Sequence, residues 1–200
     1  MVYSLHMCSN IMEKNDILNI LRSKNSVFSF KDVLLASQDK NPALLIRRLN
    51  YYIKQGELYS IRRGFYAKDK NYDKFELAAK IYTPSYISFE TVLTRAGVVF
   101  QYYSQVFVAS YLTREIKADS QVYSYKKLKD PVLTNNAGVE YNENYSIATC
   151  ERAFLDVLYL HKNYHFDNLK PLNMDKVLAI LPIYNNKRME KEVKKLLSLG

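Results

Sequence analysis

The chain has 200 residues, 48% of them hydrophobic, and a formal net charge of +9, a length that fits one large domain or two small ones. No apolar run approaches the roughly 18 residues that cross a bilayer. Residues 1–10 lack the basic and apolar segments of a signal peptide, so we expect neither a membrane segment nor a leader. The two cysteines, Cys8 and Cys150, have no metal-ligand spacing, which predicts a reduced, cytoplasmic protein.

Positive charge is concentrated in the N-terminal part of the chain. Residues 1–74 carry 13 Lys and Arg against 7 Asp and Glu, a balance of +6, whereas residues 75–200 carry 16 against 13, a balance of +3. A basic patch attracts polyphosphates because each contact releases counterions. A lysine-rich solvated surface would give the same balance, so charge alone leaves both interpretations open.

Two short helices are predicted first. Apolar residues at helical spacing indicate one helix over residues 12–22. Ser29 is a suitable N-cap for a second helix over residues 30–37, whose apolar positions are Phe30, Val33 and Leu34. A polar turn over residues 38–41 follows, so the next helix would begin close to the end of the second.

The third predicted helix leads directly into a basic hairpin. Asn41-Pro42 begins this helix, because proline in the first helical position removes no donor that the helix needs, and Gly56 ends it. The alternating residues 58–61 predict a strand, Arg62-Arg63-Gly64 predicts a tight turn, and residues 65–67 predict a return strand. Helix, turn, helix and basic hairpin are typical of a winged helix-turn-helix.

Helical phase, at about 100° per residue, divides the third helix into two faces. The apolar face, which should pack on the first two helices, consists of Leu45, Leu49, Tyr52 and Ile53. On the opposite face, Arg47 and Asn50 can make bidentate contacts to guanine or adenine edges in a major groove. Lys54 is better placed for a phosphate, and the hairpin arginines for a phosphate or the minor groove. The predicted DNA contacts are Lys40, Asn41, Ala43, Leu44, Arg47, Arg48, Asn50, Tyr51, Lys54, Arg62, Arg63 and Tyr66.

An amphipathic helix with an ordinary solvated face is the alternative interpretation of this segment. The basic hairpin next to the helix favours DNA binding over that alternative.

A break in the apolar pattern near residues 69–74 predicts a boundary between a winged helix over residues 1–72 and a second domain over residues 73–200. The predicted elements of the second domain are a helix over residues 75–81, a helix over residues 89–96 capped by Ser88, strands over residues 106–111, 121–125 and 139–147, a turn between strands at residues 135–138, an apolar helix over residues 150–161 capped by Thr149, and helices over residues 174–181 and 187–199. The predicted fold class is α+β, with a small sheet and flanking helices in the second domain.

Catalytic chemistry is not indicated. His161 and His165 are four residues apart, but no further metal ligands surround them. The sequence has neither a Gly-rich phosphate loop nor a nucleophile elbow. Glu151 should support the start of the apolar helix, and Asp156 should occupy a polar edge or pair with Arg152. We therefore predict no enzymatic activity, no metal and no cofactor.

Two other functions compete with DNA-binding regulation. A nuclease needs an acidic pair and a lysine on adjacent strands, and this spacing does not occur around Asp119, Glu140 and Glu143. A protein-interaction module would expose Tyr102-Tyr103 and Phe107, whereas we expect these aromatic residues to lie in the core.

Three segments of the chain resemble the AbiEi antitoxins, the transcriptional-repressor partners in bacterial abortive-infection toxin–antitoxin systems. Residues 59–68, YSIRRGFYAK, are similar to the wing of the family. Residues 86–97, YISFETVLTRAG, resemble its Tyr-x-Ser-x-Glu helix, and residues 145–160 resemble its strand-to-helix segment. Cys150 stands where a proline is expected, and both residues fit a first helical turn. The similarity covers most of residues 10–161.

The resemblance implies an autoregulating repressor of a type IV toxin–antitoxin system. The winged helix would bind inverted repeats in duplex operator DNA, an arrangement that suits cooperative binding of two protomers. The second domain would contribute to repression and would counter a nucleotidyltransferase-like toxin without forming a stable complex with it. A protein of this kind whose gene has no toxin gene beside it would act as a stand-alone transcriptional regulator.

Overall fold

The computed structural model describes residues 22–37 and 41–197. The helix predicted over residues 12–22, except for its last residue, and the turn over residues 38–40 lie outside the described residues. The chain has a mixed α+β fold with two sheets, and it divides between Lys80 and Ile81 into two compact units. In the part of the chain that the structure describes, no helix has the length and apolar character needed to cross a membrane.

The first unit combines a three-stranded sheet with helices. Its elements are β1 Val27–Ser29, α1 Phe30–Ser37, α2 Pro42–Lys54, β2 Tyr59–Arg62, β3 Phe65–Ala67 and α3 Lys74–Ile81. The strand order is β1-β3-β2, and both pairs are antiparallel. The helices α1 and α2 and the hairpin confirm the predicted elements. Strand β1 was not predicted, because three residues are too few to show an alternating pattern.

The start of α1 is fixed by reciprocal capping. The amide of Asp32 donates to Ser29 Oγ at 3.1 Å, and the amide of Ser29 donates to the Asp32 carboxylate at 2.9 Å, which is the geometry of a capping box. The predicted cap at Ser29 is therefore confirmed. Burial raises the pKa of Asp32, but the bond from the Ser29 amide and the charge of Lys80, 3.3 Å away, outweigh burial and lower it.

An apolar core joins α1, α2 and the sheet of the first unit. Its members are Phe28, Val33, Leu45, Leu49 and Leu58, with Phe30, Leu34, Tyr52, Ile53 and Tyr66 packed against them. The predicted inward face of α2 is confirmed, since all four of its residues belong to this cluster. Burial of these side chains fixes the rotation of α2 about its axis and thus determines which residues it exposes.

Helix α3 is tied to the first unit by a buried carboxylate. Glu76 is fully buried, and it accepts from the Ser26 amide at 2.8 Å and from Ser26 Oγ at 2.7 Å. Lys80 Nζ lies 3.7 Å from its other oxygen. Because Ser26 immediately precedes β1, these bonds connect the sheet to α3.

The second unit is built on a six-stranded mixed sheet. Its elements are β4 Ser85–Ile87, α4 Glu90–Arg95, β5 Val106–Ser110, β6 Arg114–Ala118, β7 Gln121–Lys127, α5 Asp130–Leu133, β8 Val139–Asn142, β9 Tyr145–Ala148, α6 Cys150–Leu160, α7 Met174–Ile180, a 3₁₀ helix Leu181–Tyr184 and α8 Lys187–Leu197. The strand order is β6-β7-β5-β4-β9-β8, in which β5 pairs in parallel with β7 and β4 with β9.

Several sequence predictions for the second unit need correction. The single strand predicted over residues 139–147 is the hairpin of β8 and β9, because the polar Asn-Glu-Asn sequence in its middle forms a turn. Strand β6 and helix α5 were not predicted, so the turn at residues 135–138 joins α5 to β8 instead of joining two strands.

Ser88 does not cap α4, contrary to the prediction. The residue before the helix is Phe89, which has φ 56° and ψ −140° and makes no side-chain capping bond. The pairing of β4 with β5 carries Ser88 into the interior. There its hydroxyl donates to the Asp156 carboxylate at 2.7 Å, a charge-assisted hydrogen bond.

A buried ion pair on α6 organises the second unit. Arg152 and Asp156 are both 0% exposed, and Arg152 Nε lies 3.3 Å from Asp156 Oδ1. The predicted pairing of Asp156 with Arg152 is therefore confirmed. The alternative prediction, that Asp156 lies at a polar edge of the helix, is wrong because the residue is buried. The remaining guanidinium bonds are to the Tyr86 hydroxyl at 2.8 Å and to the carbonyls of Val132, Asn135 and Ala137 at 2.6, 3.2 and 2.7 Å.

The Asp156 carboxylate is equally well satisfied. The hydroxyls of Tyr86 and Tyr184 donate to it at 3.0 and 2.7 Å, in addition to Ser88. Burial raises the pKa of Asp156, and Arg152 and these hydroxyls offset part of that effect. For Arg152, burial opposes the charge, but the neighbouring oxygens outweigh it and raise the pKa. This network joins β4, α6, the 3₁₀ helix and the segment after α5.

We expect Asp156→Asn to lower the free energy of unfolding of the second unit by about 3–5 kcal/mol, because it leaves Arg152 buried without its counter-charge. Urea unfolding followed by far-UV circular dichroism measures this loss. The control is Glu140→Gln, a substitution at an exposed residue of β8, which should change stability by less than about 0.5 kcal/mol. Equal stability of the two variants would contradict the role given to the ion pair.

Candidate nucleic-acid interface

The candidate site is the exposed side of α2 together with the turn of the β2–β3 hairpin. The start of α2 is capped: Asn41 Oδ1 accepts from the amides of Ala43 and Leu44 at 3.0 and 3.4 Å, and Pro42 occupies the first turn. Gly56, with φ +74°, follows the C-terminus of the helix, a conformation that glycine adopts without strain. The side-chain oxygen of Asn41 is thus used in capping.

The outward face of α2 carries most of the predicted DNA contacts. The exposed residues of this face are Ala43, Leu44, Arg47, Asn50, Tyr51 and Lys54. Arg48 is half-buried at the edge of the face, as its helical phase predicts. Lys40, the remaining predicted contact near the helix, lies outside the described residues.

The hairpin presents its arginines at a tight turn. Arg62 pairs with Phe65 across Arg63 and Gly64, and Gly64 has φ +81°. The carbonyl of Gly64 accepts from the amide of Phe30, the first residue of α1, at 2.8 Å. Arg63 is exposed, whereas Arg62 is half-buried with its guanidinium carbon 6.0 Å from the centre of the Phe65 ring. Of the two arginines, Arg63 is therefore the more accessible to a ligand.

Tyr66, the last predicted contact, has a mainly structural position. Its ring packs against the core cluster of the first unit. Burial raises the pKa of its hydroxyl, so the side chain stays neutral at physiological pH. It can offer DNA at most a neutral hydroxyl.

The electrostatic character of this surface is strongly one-sided. Residues 42–68 carry 6 Lys and Arg against a single acidic residue, Glu57. The exposed lysines of the first unit that were not among the predicted contacts include Lys31 on α1 and Lys70 after β3. Charge is the only sequence signal at either position, and charge alone does not distinguish a contact from a solvated surface.

The second unit carries its own basic cleft, at the end of α6 and along α8. Its volume is about 540 Å³, and it is lined by Lys162, Asn163, Lys187, Arg188, Lys191, Glu192 and Lys195. Arg188 and Glu192 form an ion pair at 2.8 Å within it. Positive charge therefore occurs in both units, and what distinguishes the α2 surface is an exposed basic helix followed by an arginine-bearing hairpin.

The other sequence candidates of the second unit are dispersed. His161 and His165 are exposed, and within residues 22–37 and 41–197 no group of three or more His, Cys, Asp and Glu could hold a metal ion. Phe107 is buried, as predicted, but Tyr102 is 83% exposed, so its predicted core position is wrong.

Glu151 lies in the first turn of α6 and also bonds to a distant segment, since its carboxylate accepts from the Asn173 amide at 3.1 Å.

No protein-family model matches this chain, and no curated protein matches it in sequence.

We expect Asn41→Ala to destabilise the first unit by about 1 kcal/mol, because the amides of the first turn of α2 lose their side-chain acceptor. Asn41→Ser keeps an oxygen at the cap and should stay within a few tenths of a kcal/mol of the parent. Thermal unfolding of the two variants measures the difference. If the alanine variant were as stable as the serine variant, the capping contribution would be refuted.

Proposed function

We propose that the protein is a DNA-binding transcriptional repressor and that its first unit is a winged helix-turn-helix. The observation that carries this proposal is the exposed basic face of α2 followed by an arginine-bearing hairpin whose turn is bonded to α1. The chain order β1, α1, α2, β2, β3, with β1 paired to β3, supports it, because a second helix that exposes a basic face is the recognition helix of such domains.

The dimensions of α2 suit a major groove. Its 13 residues span about 20 Å at 1.5 Å per residue, and the major groove of B-DNA accepts an α-helix. Arg47 and Asn50 would then read base edges near the middle of the helix. Lys54 in the last turn would contact a phosphate, and Arg63 would contact a phosphate or the neighbouring minor groove.

We further propose, from the resemblance to AbiEi antitoxins, that the repressor is the antitoxin of a type IV toxin–antitoxin system. Its operator would contain inverted repeats, and its second unit would counter a nucleotidyltransferase-like toxin without a stable complex. A gene for such a toxin next to the gene of this chain would support the antitoxin function. Without that neighbour, the same interface would serve a stand-alone regulator.

A nuclease fits the second unit less well. Asp119 lies in the turn between β6 and β7, whereas Glu140 and Glu143 lie in the β8–β9 hairpin. These two hairpins form opposite edges of the six-stranded sheet. With strands about 4.8 Å apart, the two groups of carboxylates are too distant to bind one magnesium ion together.

We expect Arg47→Ala to lower affinity for the preferred duplex by about 1–3 kcal/mol and to relax the preference at one base pair, if Arg47 reads a base edge. Fluorescence anisotropy with duplexes selected from a random pool measures both effects. Unchanged affinity and unchanged preference would remove Arg47 from the recognition face.

We expect Arg62→Ala combined with Arg63→Ala to weaken binding to all duplexes alike and to flatten the salt dependence by about one unit of slope for each lost phosphate contact. The control is Lys74→Ala, at an exposed lysine that begins α3, which should leave the slope unchanged. Titrations of binding against salt concentration compare the variants. An unaltered slope in the double variant would contradict a role of the hairpin in DNA binding.

A further inference from the structure

The first turn of α2 exposes apolar side chains next to the basic residues of its outward face. Ala43 is exposed, and Leu44 is 44% exposed. Leu44 and Arg47 are three residues apart, so their side chains are neighbours on the helix surface. The predicted DNA-facing surface therefore presents an aliphatic group directly beside its central arginine.

Helix capping fixes the backbone that carries these apolar side chains. The amides of both residues donate to Asn41 Oδ1, and the Asn41 carbonyl accepts from the amides of Leu44 and Leu45 at 3.2 Å. Leu45, the next residue, is 4% exposed and anchors the turn in the core. Because this backbone is already hydrogen-bonded, binding through the first turn does not have to order the main chain.

We propose that Ala43 and Leu44 bind the C5-methyl groups of thymine, so that the preferred duplex has thymine at the positions read by the first turn of α2. This inference rests on the proposed binding of DNA through α2. In the major groove the thymine methyl is the apolar group that base edges present, and cytosine lacks it. The N-terminal residues of a recognition helix are those that reach base edges. Together with Asn50, which can read adenine, these contacts select A·T pairs.

The test uses the full chain and a substitution that removes only the methyl group. A duplex is selected from a random pool, and each of its thymines is replaced in turn by deoxyuridine. We expect about fourfold weaker binding at one or two positions, the effect of losing one buried methyl group, and unchanged binding at the others.

Two leucine variants then connect the methyl effect to α2. At the sensitive position, Leu44→Ala should show a smaller difference in affinity between the thymine and deoxyuridine duplexes than the parent does. Leu35→Ala is the matched control, since it truncates a leucine of α1 that is 70% exposed, and it should keep the full discrimination of the parent.

Two results would overturn the thymine contact while leaving DNA binding intact. They are a selected duplex in which no thymine is sensitive to deoxyuridine, and a Leu44→Ala variant that discriminates as strongly as the parent. The deoxyuridine scan of the parent chain decides the question even if a variant fails to fold. If no duplex is enriched from the pool, the proposed function fails, and the thymine contact fails with it.

Discussion

One backbone hydrogen bond, from the amide of Phe30 to the carbonyl of Gly64 at 2.8 Å, sets the geometry on which the candidate interface depends. Phe30 begins α1, and Gly64 lies in the turn of the hairpin. Since α1 and α2 share an apolar core, the bond relates the hairpin to α2 as well. Strand β1, which leads into α1, pairs with β3 of the hairpin and reinforces the connection. The two basic elements are thereby held in a fixed relation before any ligand is bound, which reduces the ordering that binding requires.

The second unit is stabilised in a different way, by an ion pair that is removed from water. Such a pair is favourable only when every donor and acceptor is satisfied, and the guanidinium of Arg152 and the carboxylate of Asp156 meet this condition. Tyr86 of β4 and Ser88, which follows that strand, both donate to Asp156. Their role within the fold is structural.

Sequence patterns predicted the elements whose signals are local. The cap at Ser29, the Asn41-Pro42 start of α2 and the Gly64 turn each act within a few residues, so composition and spacing were sufficient to find them. The exposed face of α2 followed from its helical phase. Two of the wrong predictions concern residues with distant partners: β1 pairs with β3, and Ser88 donates to Asp156, 68 residues away. No local pattern carries that information.

The most direct test of the central claim is residue-resolved mapping of the bound surface. In an NMR titration of the full chain with its selected duplex, we expect the largest amide shift changes over residues 43–54 and at the turn of residues 62–65. The sheet of the second unit should change least. Large changes centred on the six-stranded sheet, with α2 and the hairpin unaffected, would contradict DNA binding through the first unit.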